Sequence, residues 1–416
     1  MPASGAFVPA VAWALPFAFL LLAIAILPLV ASHFWESNLR KLAVAAVLGL
    51  PVFVLYVRAH PQALVHAALD YVSFIVLLAG LFVISGGILL EGDLQATTRT
   101  NATLLGAGAL LASFVGTTGA SMLLVRPLLQ TNRERKRVAH TVVFFIFLVS
   151  NIGGCLTPLG DPPLFLGYLI GVPFAWTLRL FVPWVFTVAL VLAVYVAWDR
   201  REHARESVSD LKRDFYEVRP LRIAGKENLV LLAGVLAAVA FLAAPWREAA
   251  IIALTLLSYR QTDPELRKAN RFTFQPILEV AALFAGIFVT MLPALDILKA
   301  RGAELGVREP WQFFWATGAL SSFLDNAPTY LTFLALAKGL GLAPEVVGVS
   351  HDVLVAISLG AVFMGANTYI GNGPNFMVRA IAEERGVAMP SFGGYMLYSG
   401  AVLLPIFGIV TLVFFR

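Results

Sequence analysis

Charge is scarce in this sequence. Only 13% of its 416 residues are Asp, Glu, Lys or Arg, and 59% are hydrophobic; an ordinary soluble domain carries roughly 25% charged residues. A soluble chain this apolar could not cover its surface with polar groups, which excludes a soluble multidomain enzyme. Cysteine is nearly absent. Cys155 alone leaves neither a disulfide framework nor a cysteine metal cluster. The six histidines are scattered, without His-Glu-x-x-His or a related ligand spacing. No nucleophile–base pair stands out, so neither an enzyme nor a bound cofactor is expected. No Lys or Arg precedes Arg40. The basic start of a cleaved signal peptide is therefore missing, and the first apolar segment is expected to stay as a span with its N-terminal side outside. The net charge of +5 lies in loops between apolar segments, which does not point to nucleic acid.

What is abundant fits a membrane. Mean hydropathy is +0.82. The 33 Gly and 23 Pro exceed what straight spans require, but broken and closely packed membrane helices use both. Apolar segments read as spans at 11–31, 41–57, 71–90, 139–170, 174–198, 229–244, 248–259, 275–295, 350–382 and 391–414. Two more, 102–125 and 311–338, break in the middle, at Gly116-Thr117-Thr118-Gly119 and at Asp325-Asn326-Ala327-Pro328. Each reads as a re-entrant hairpin whose exposed backbone groups must face protein or a water-filled cavity. The expected fold is an all-α polytopic membrane protein with about ten spans, two hairpins and two broken helices. With the N-terminus outside, 21 Lys and Arg fall on the inner face and 7 on the outer. That orientation places the mixed-charge stretch 199–227 inside as a solvated linker; the sidedness after 248–259 depends on that segment crossing.

The chain reads as two halves, 1–198 and 228–416. Phe114 aligns with Phe323, Asn151 with Asn367 and Gly80 with Gly286, at nearly constant spacing. Each half runs helix, hairpin, broken helix, helix. Five spans per half put the second half upside down, and inverted repeats with paired discontinuous helices point to secondary transport.

The chemistry is expected at the breaks. Pro removes a donor and frees a carbonyl, and Gly lets an ion approach the backbone. Freed carbonyls, the amides of Asn151, Asn326, Asn367 and Asn372, and the hydroxyls of Thr117, Thr118, Thr157, Thr368 and Ser322 are hard oxygen ligands for a small cation. Helix N-termini facing the same cavity would instead suit an anion. Asp161 and Asp325 tip the balance toward a cation. They stand in otherwise uncharged breaks, where a carboxylate costs about 2.5–3.5 kcal/mol by insertion scales. Such a group can hold a proton or a cation, and that competition is the simplest chemistry of exchange. Each could also serve only as the N-cap of the half-helix that follows.

Two strings carry a resemblance. Ser150-Asn151-Ile152-Gly153-Gly154, followed by Thr157-Pro158-Leu159-Gly160-Asp161-Pro162, resembles the Asn-x-Gly-Gly…Pro-x-Gly-Asp segment of NhaD-type sodium/proton antiporters in the ion transporter superfamily. Ser321-Ser322-Phe323-Leu324-Asp325-Asn326-Ala327-Pro328 is similar to their Ser-x-x-x-Asp-Asn-x-Pro segment. The resemblance implies a homodimer in the inner membrane, in which a scaffold holds a mobile part carrying both hairpins. It implies sodium and proton binding near the matched Asp and Asn residues. The expected function is sodium/proton exchange by alternating access; the alternative is cation-coupled transport of a small anion, citrate-like or arsenite-like.

Overall fold

A computed structural model describes residues 7–207, 209, 214–216, 218–341 and 345–416. Among the described residues, six helical segments are long and apolar enough to cross a membrane. In chain order the helices are α1 (Leu15–Val30), α2 (Asn38–Ala59), α3 (Pro61–Ser85), α4 (Thr98–Val115), α5 (Thr117–Thr131), α6 (Ala139–Leu148), α7 (Pro162–Leu169) and α8 (Phe181–His203). The second half holds α9 (Glu227–Phe241), α10 (Trp246–Gln261), α11 (Pro264–Ala269), α12 (Gln275–Arg301), α13 (Pro310–Ser321), α14 (Asn326–Leu340), α15 (His351–Met364), α16 (Gly373–Glu384) and α17 (Phe392–Phe414). The helix expected from residue 71 starts ten residues earlier, because Pro61 sits at the first helical position, where its missing N–H costs nothing.

Both expected hairpins form. α4 and α5 are joined through Gly116 alone, whose φ of 82° a side chain would resist. At the far end of the pair Asn101 and Asn132 exchange two amide hydrogen bonds of 2.8 Å. In the second hairpin α13 opens with Glu309 and Gln312 as a reciprocal capping box. Both broken helices form too, α6 with α7 and α15 with α16, each interrupted by a short 3-10 turn. The stretch from His140 to Leu148 is buried throughout, and α15 is buried along most of its length. A helix apolar all round belongs inside, so these half-helices form the centre of the bundle. Helices α1 and α2 instead expose Leu22, Ile26, Val47, Leu50 and Phe53.

The short segment 248–259 belongs to an α9–α10 hairpin that goes out and returns. Ser258 Oγ donates to Asn228 Oδ1 at 2.5 Å, and Asn228 Nδ2 donates to Thr262 Oγ1 at 3.0 Å. Beyond it, Asn270 Nδ2 donates to the carbonyls of Gly86 and Ile88. The chain therefore re-emerges on the face where α3 ends. Gly80 of α3 packs against Ile251 of α10, and Gly286 of α12 against Ala45 of α2.

Part of the stretch read as a solvated linker is ordered. Arg219–Ala224 forms β2, antiparallel to β1 (Leu89–Asp93), with Leu90 opposite Ile223 and Glu91 opposite Arg222. Glu91 and Asp93 thus lie in a ribbon beyond α3. Within 199–227, residues 208, 210–213 and 217 lie outside the described set, as do 1–6 of the first half and 342–344 of the second. Two further intramembrane charges prove paired: Glu279 with Lys41 at 2.7 Å, and Arg379 with Glu383 at 2.9 Å while stacking on Tyr369.

Candidate functional site

Four helices begin in the middle of the bundle. α5 starts after Gly116, α7 after Asp161, α14 after Asp325 and α16 after Asn372. Their first residues meet at one carboxylate. Asp161 is 1% exposed. It accepts from Thr117 Oγ1 at 2.8 Å, from Asn372 Nδ2 at 3.2 Å and from Asn326 Nδ2. The Thr117 amide donates to the Gly160 carbonyl at 2.8 Å, and Asn372 Nδ2 also reaches the Ser150 carbonyl. All three donors to Asp161 are neutral, and no Lys or Arg nitrogen among the described residues forms an ion pair with it.

The two aspartates differ, and part of the reason is local. Asp325 caps its helix, accepting from the Ala327 amide at 3.0 Å. Asp161 precedes Pro162 and Pro163, and its side chain caps nothing: Pro163 holds the place that Ala327 fills after Asp325, and it has no N–H to give. Three side-chain donors from other segments hold the Asp161 carboxylate instead.

The breaks repeat one bonding scheme. Thr157 Oγ1 donates to the Ser113 carbonyl and accepts from the Leu159 amide at 3.2 Å. Thr368 Oγ1 donates to the Ser322 carbonyl and accepts from the Ile370 amide at 3.2 Å. Ser113 Oγ donates to the Gly153 carbonyl, and Ser322 Oγ shares its hydrogen between the Met364 carbonyl at 3.1 Å and the Gly318 carbonyl of its own helix at 2.7 Å. A Cβ on Gly160 would collide with the Gly154 carbonyl, and one on Gly371 with that of Gly365. These bonds pair Thr157 with Thr368 and Asp161 with Asn372. They correct the expected pairing of Asn151 with Asn367. Asn367 Nδ2 donates to Ser322 Oγ at 2.9 Å, where the first half uses the Leu156 amide on Ser113 Oγ at 3.0 Å. Asn151 instead crosses between the halves, donating to Asn375 Oδ1 at 2.7 Å.

Of the residues expected to act, Asp161, Thr117, Asn326 and Asn372 come together directly. Asn151, Thr157, Ser322, Asn367 and Thr368 hold the breaks around them. Asp325 is at the same hairpin tip but bonds within its helix. The Thr118 side chain makes no hydrogen bond among the described residues; it lines a small cavity of 80 Å³ between the first hairpin tip, α3 and α12. Two contributors were missed. Ser113 anchors the first break, and its place before the tip, matching Ser322, was the signal available. Asn375 donates to the carbonyls of Gly365 and Thr368 as well as accepting from Asn151; its signal was a third Asn in the stretch 367–375.

Three side-chain oxygens in this centre, Asn151 Oδ1, Asn326 Oδ1 and Asn367 Oδ1, are buried without a hydrogen-bond donor. Buried acceptors are almost always satisfied. A hard cation is one species that satisfies amide oxygens and a carboxylate together. The half-helix N-termini have the opposite preference, since each carries a partial positive charge. The centre can therefore engage ions of both signs.

A family model described as "Putative citrate transport" matches residues 7–415. A search of the curated proteins returns no match.

Proposed function

We propose that this chain, which belongs to the citrate transport family within the ion transporter superfamily, carries a small citrate-like polycarboxylate across the membrane together with cations. That it is a multi-pass membrane transporter follows from the family and from its apolar helices. The substrate and the coupling are our reading. The convergence of four half-helix N-termini on Asp161 carries it. Each terminus contributes roughly +0.5 charge, about +2 for the four. Asp161 and Asp325, when ionised, offset that sum. The centre is then near neutral by itself, and a substrate with two or three negative charges has to bring cations with it. The three donorless amide oxygens are suited to holding them. The repeated bonding scheme supports two inverted halves meeting at this centre, as alternating access requires.

Sodium/proton exchange without an anion is the second reading. One observation favours it: Asp161 is a buried carboxylate with only neutral donors. The resemblance to NhaD-type antiporters rests on strings that frame the breaks, while the family match falls on the citrate branch.

Ligand-dependent thermal unfolding separates the two. A ligand that binds the folded state at 100 times its Kd adds about 2.7 kcal/mol. Under the first reading citrate raises Tm only with sodium or at low pH, and the joint shift exceeds the sum of the separate ones. If no polycarboxylate shifts Tm under any cation, while sodium does so in competition with protons, the exchange reading replaces it.

A further inference from the structure

A cavity of 780 Å³ opens on the face that carries the β1–β2 ribbon. Arg126 of α5, Arg219 and Arg222 of β2, and Arg385 just beyond α16 line it, against the two acids Glu91 and Asp93 of β1. Arg126, Arg222 and Arg385 form no ion pair among the described residues, and Arg126 Nη1 is buried without a hydrogen-bond partner. The opposite end of the molecule differs. There a cavity of 290 Å³ balances Lys299 and Lys338 against Asp70 and Asp296. An excess of unpaired guanidinium groups around a roomy cavity is suited to carboxylates or phosphates, which they grip bidentately.

Helix α5 joins this cavity to the centre. Gly119, which borders the tip cavity, is followed at helical spacing by Arg126 and Gln130, which border the basic one. Steps of seven and four residues keep all three on one helix face. Arg126 stands about 13 Å along α5 from Thr117, at 1.5 Å per residue. The basic cavity and the tip cavity thus lie along one side of α5, while Thr117, nine residues before Arg126, bonds Asp161 from the opposite side of the same helix.

We infer that the ribbon-face cavity is a binding site for small polyvalent anions, which holds the substrate on that face before it reaches the transport centre. That the anion is the transported one rests on the function proposed above; the site itself does not. Arg126 lies on the helix of the centre, so the decisive variant uses the exposed pair, Arg222→Gln with Arg385→Gln. In oriented vesicles this double variant raises the citrate KM from the ribbon face about tenfold and leaves kcat in that direction unchanged; kcat/KM from the opposite face falls by the same factor, because the variant cannot change the overall equilibrium. Arg222→Lys with Arg385→Lys keeps the charge but not the bidentate fork, so its KM lies between those of the wild type and the Gln variant. Equal KM values for the Gln variant and the wild type from the ribbon face would overturn the site. If the wild type carries no citrate, the transport reading falls, and the cavity is judged by binding. Citrate and inorganic phosphate are then titrated against the full-length wild type and the Gln variant at low and high salt. Salt-sensitive binding lost in the variant sustains an anion site; equal binding in both, or none in the wild type, removes it.

Discussion

Replacing Asp161 in two ways separates its charge from its hydrogen bonds. The carboxylate accepts from three donors, Thr117 and Asn372 on Oδ1 and Asn326 on Oδ2. In Asp161→Asn the amide oxygen can keep the first two. The new amide nitrogen then faces Asn326 Nδ2, two donors in opposition. Asn326 can turn its amide over, because its Oδ1 has no donor to lose. The bond is restored with its direction reversed, and the variant should unfold within about 1 kcal/mol of the wild type. Asp161→Ala has no such remedy. It leaves three buried donors unsatisfied at about 1–3 kcal/mol each, and after partial relaxation the loss should be on the order of 3–6 kcal/mol. Both variants lose the negative charge that offsets the helix termini, so both should lose cation-coupled transport. The assays are thermal unfolding in detergent and uptake into vesicles, on the same preparations. Equal stability of the Asn and Ala variants would refute the bonding account. Undiminished cation-coupled uptake by Asp161→Asn would refute the role of the charge.

Other expectations follow from single contacts. Asp325→Asn keeps the cap on Ala327 and should unfold near the wild type, whereas Asp325→Ala should lose about 1 kcal/mol, read as a lower Tm. Ser113→Ala and Ser322→Ala each remove the hydroxyl that ties a hairpin tip to a broken helix and should cost similar amounts, about 1–2 kcal/mol each; one silent and one severe variant would break the pairing drawn here. Lowering pH should weaken apparent sodium affinity by up to about tenfold per unit if protons and sodium share Asp161, and Asp161→Asn should abolish that dependence in an equilibrium sodium titration. Arg135→Met leaves Asp199, which Arg135 holds at 2.7 Å, as a buried charge with only His140 beside it, and should destabilise by about 3–5 kcal/mol in a denaturant melt.

The hairpins and broken helices were legible because Gly, Pro, Asn and Asp clusters interrupt segments otherwise apolar enough to span. The choice between the aspartates was only partly legible. Pro163 denies Asp161 the backbone N–H that Ala327 gives Asp325, but the donors that hold Asp161, Thr117, Asn326 and Asn372, come from other segments. The pairing of Asn151 with Asn367 misled because Pro158 and Pro374 share a distance from an Asn but not a place in the fold. Pro374 stands in the first turn of α16 as Pro163 stands in α7. The β1–β2 ribbon escaped notice because Leu89–Asp93 looks like a fraying helix end and Arg219–Ala224 like a charged linker; pairing across the chain makes them strands. The strings around Asp161 and Asp325 describe the frame of the breaks, and a frame shared across a superfamily does not specify its cargo.

The central claim is that a polycarboxylate and cations move together. The direct measurement is uptake of labelled citrate into proteoliposomes, with an imposed sodium or pH gradient and an internal pH dye. The account predicts that citrate accumulates above its external concentration only while a cation gradient is present, and that Asp161→Asn abolishes the accumulation. Proton movement driven by sodium in the absence of any anion, with citrate left outside, would contradict it.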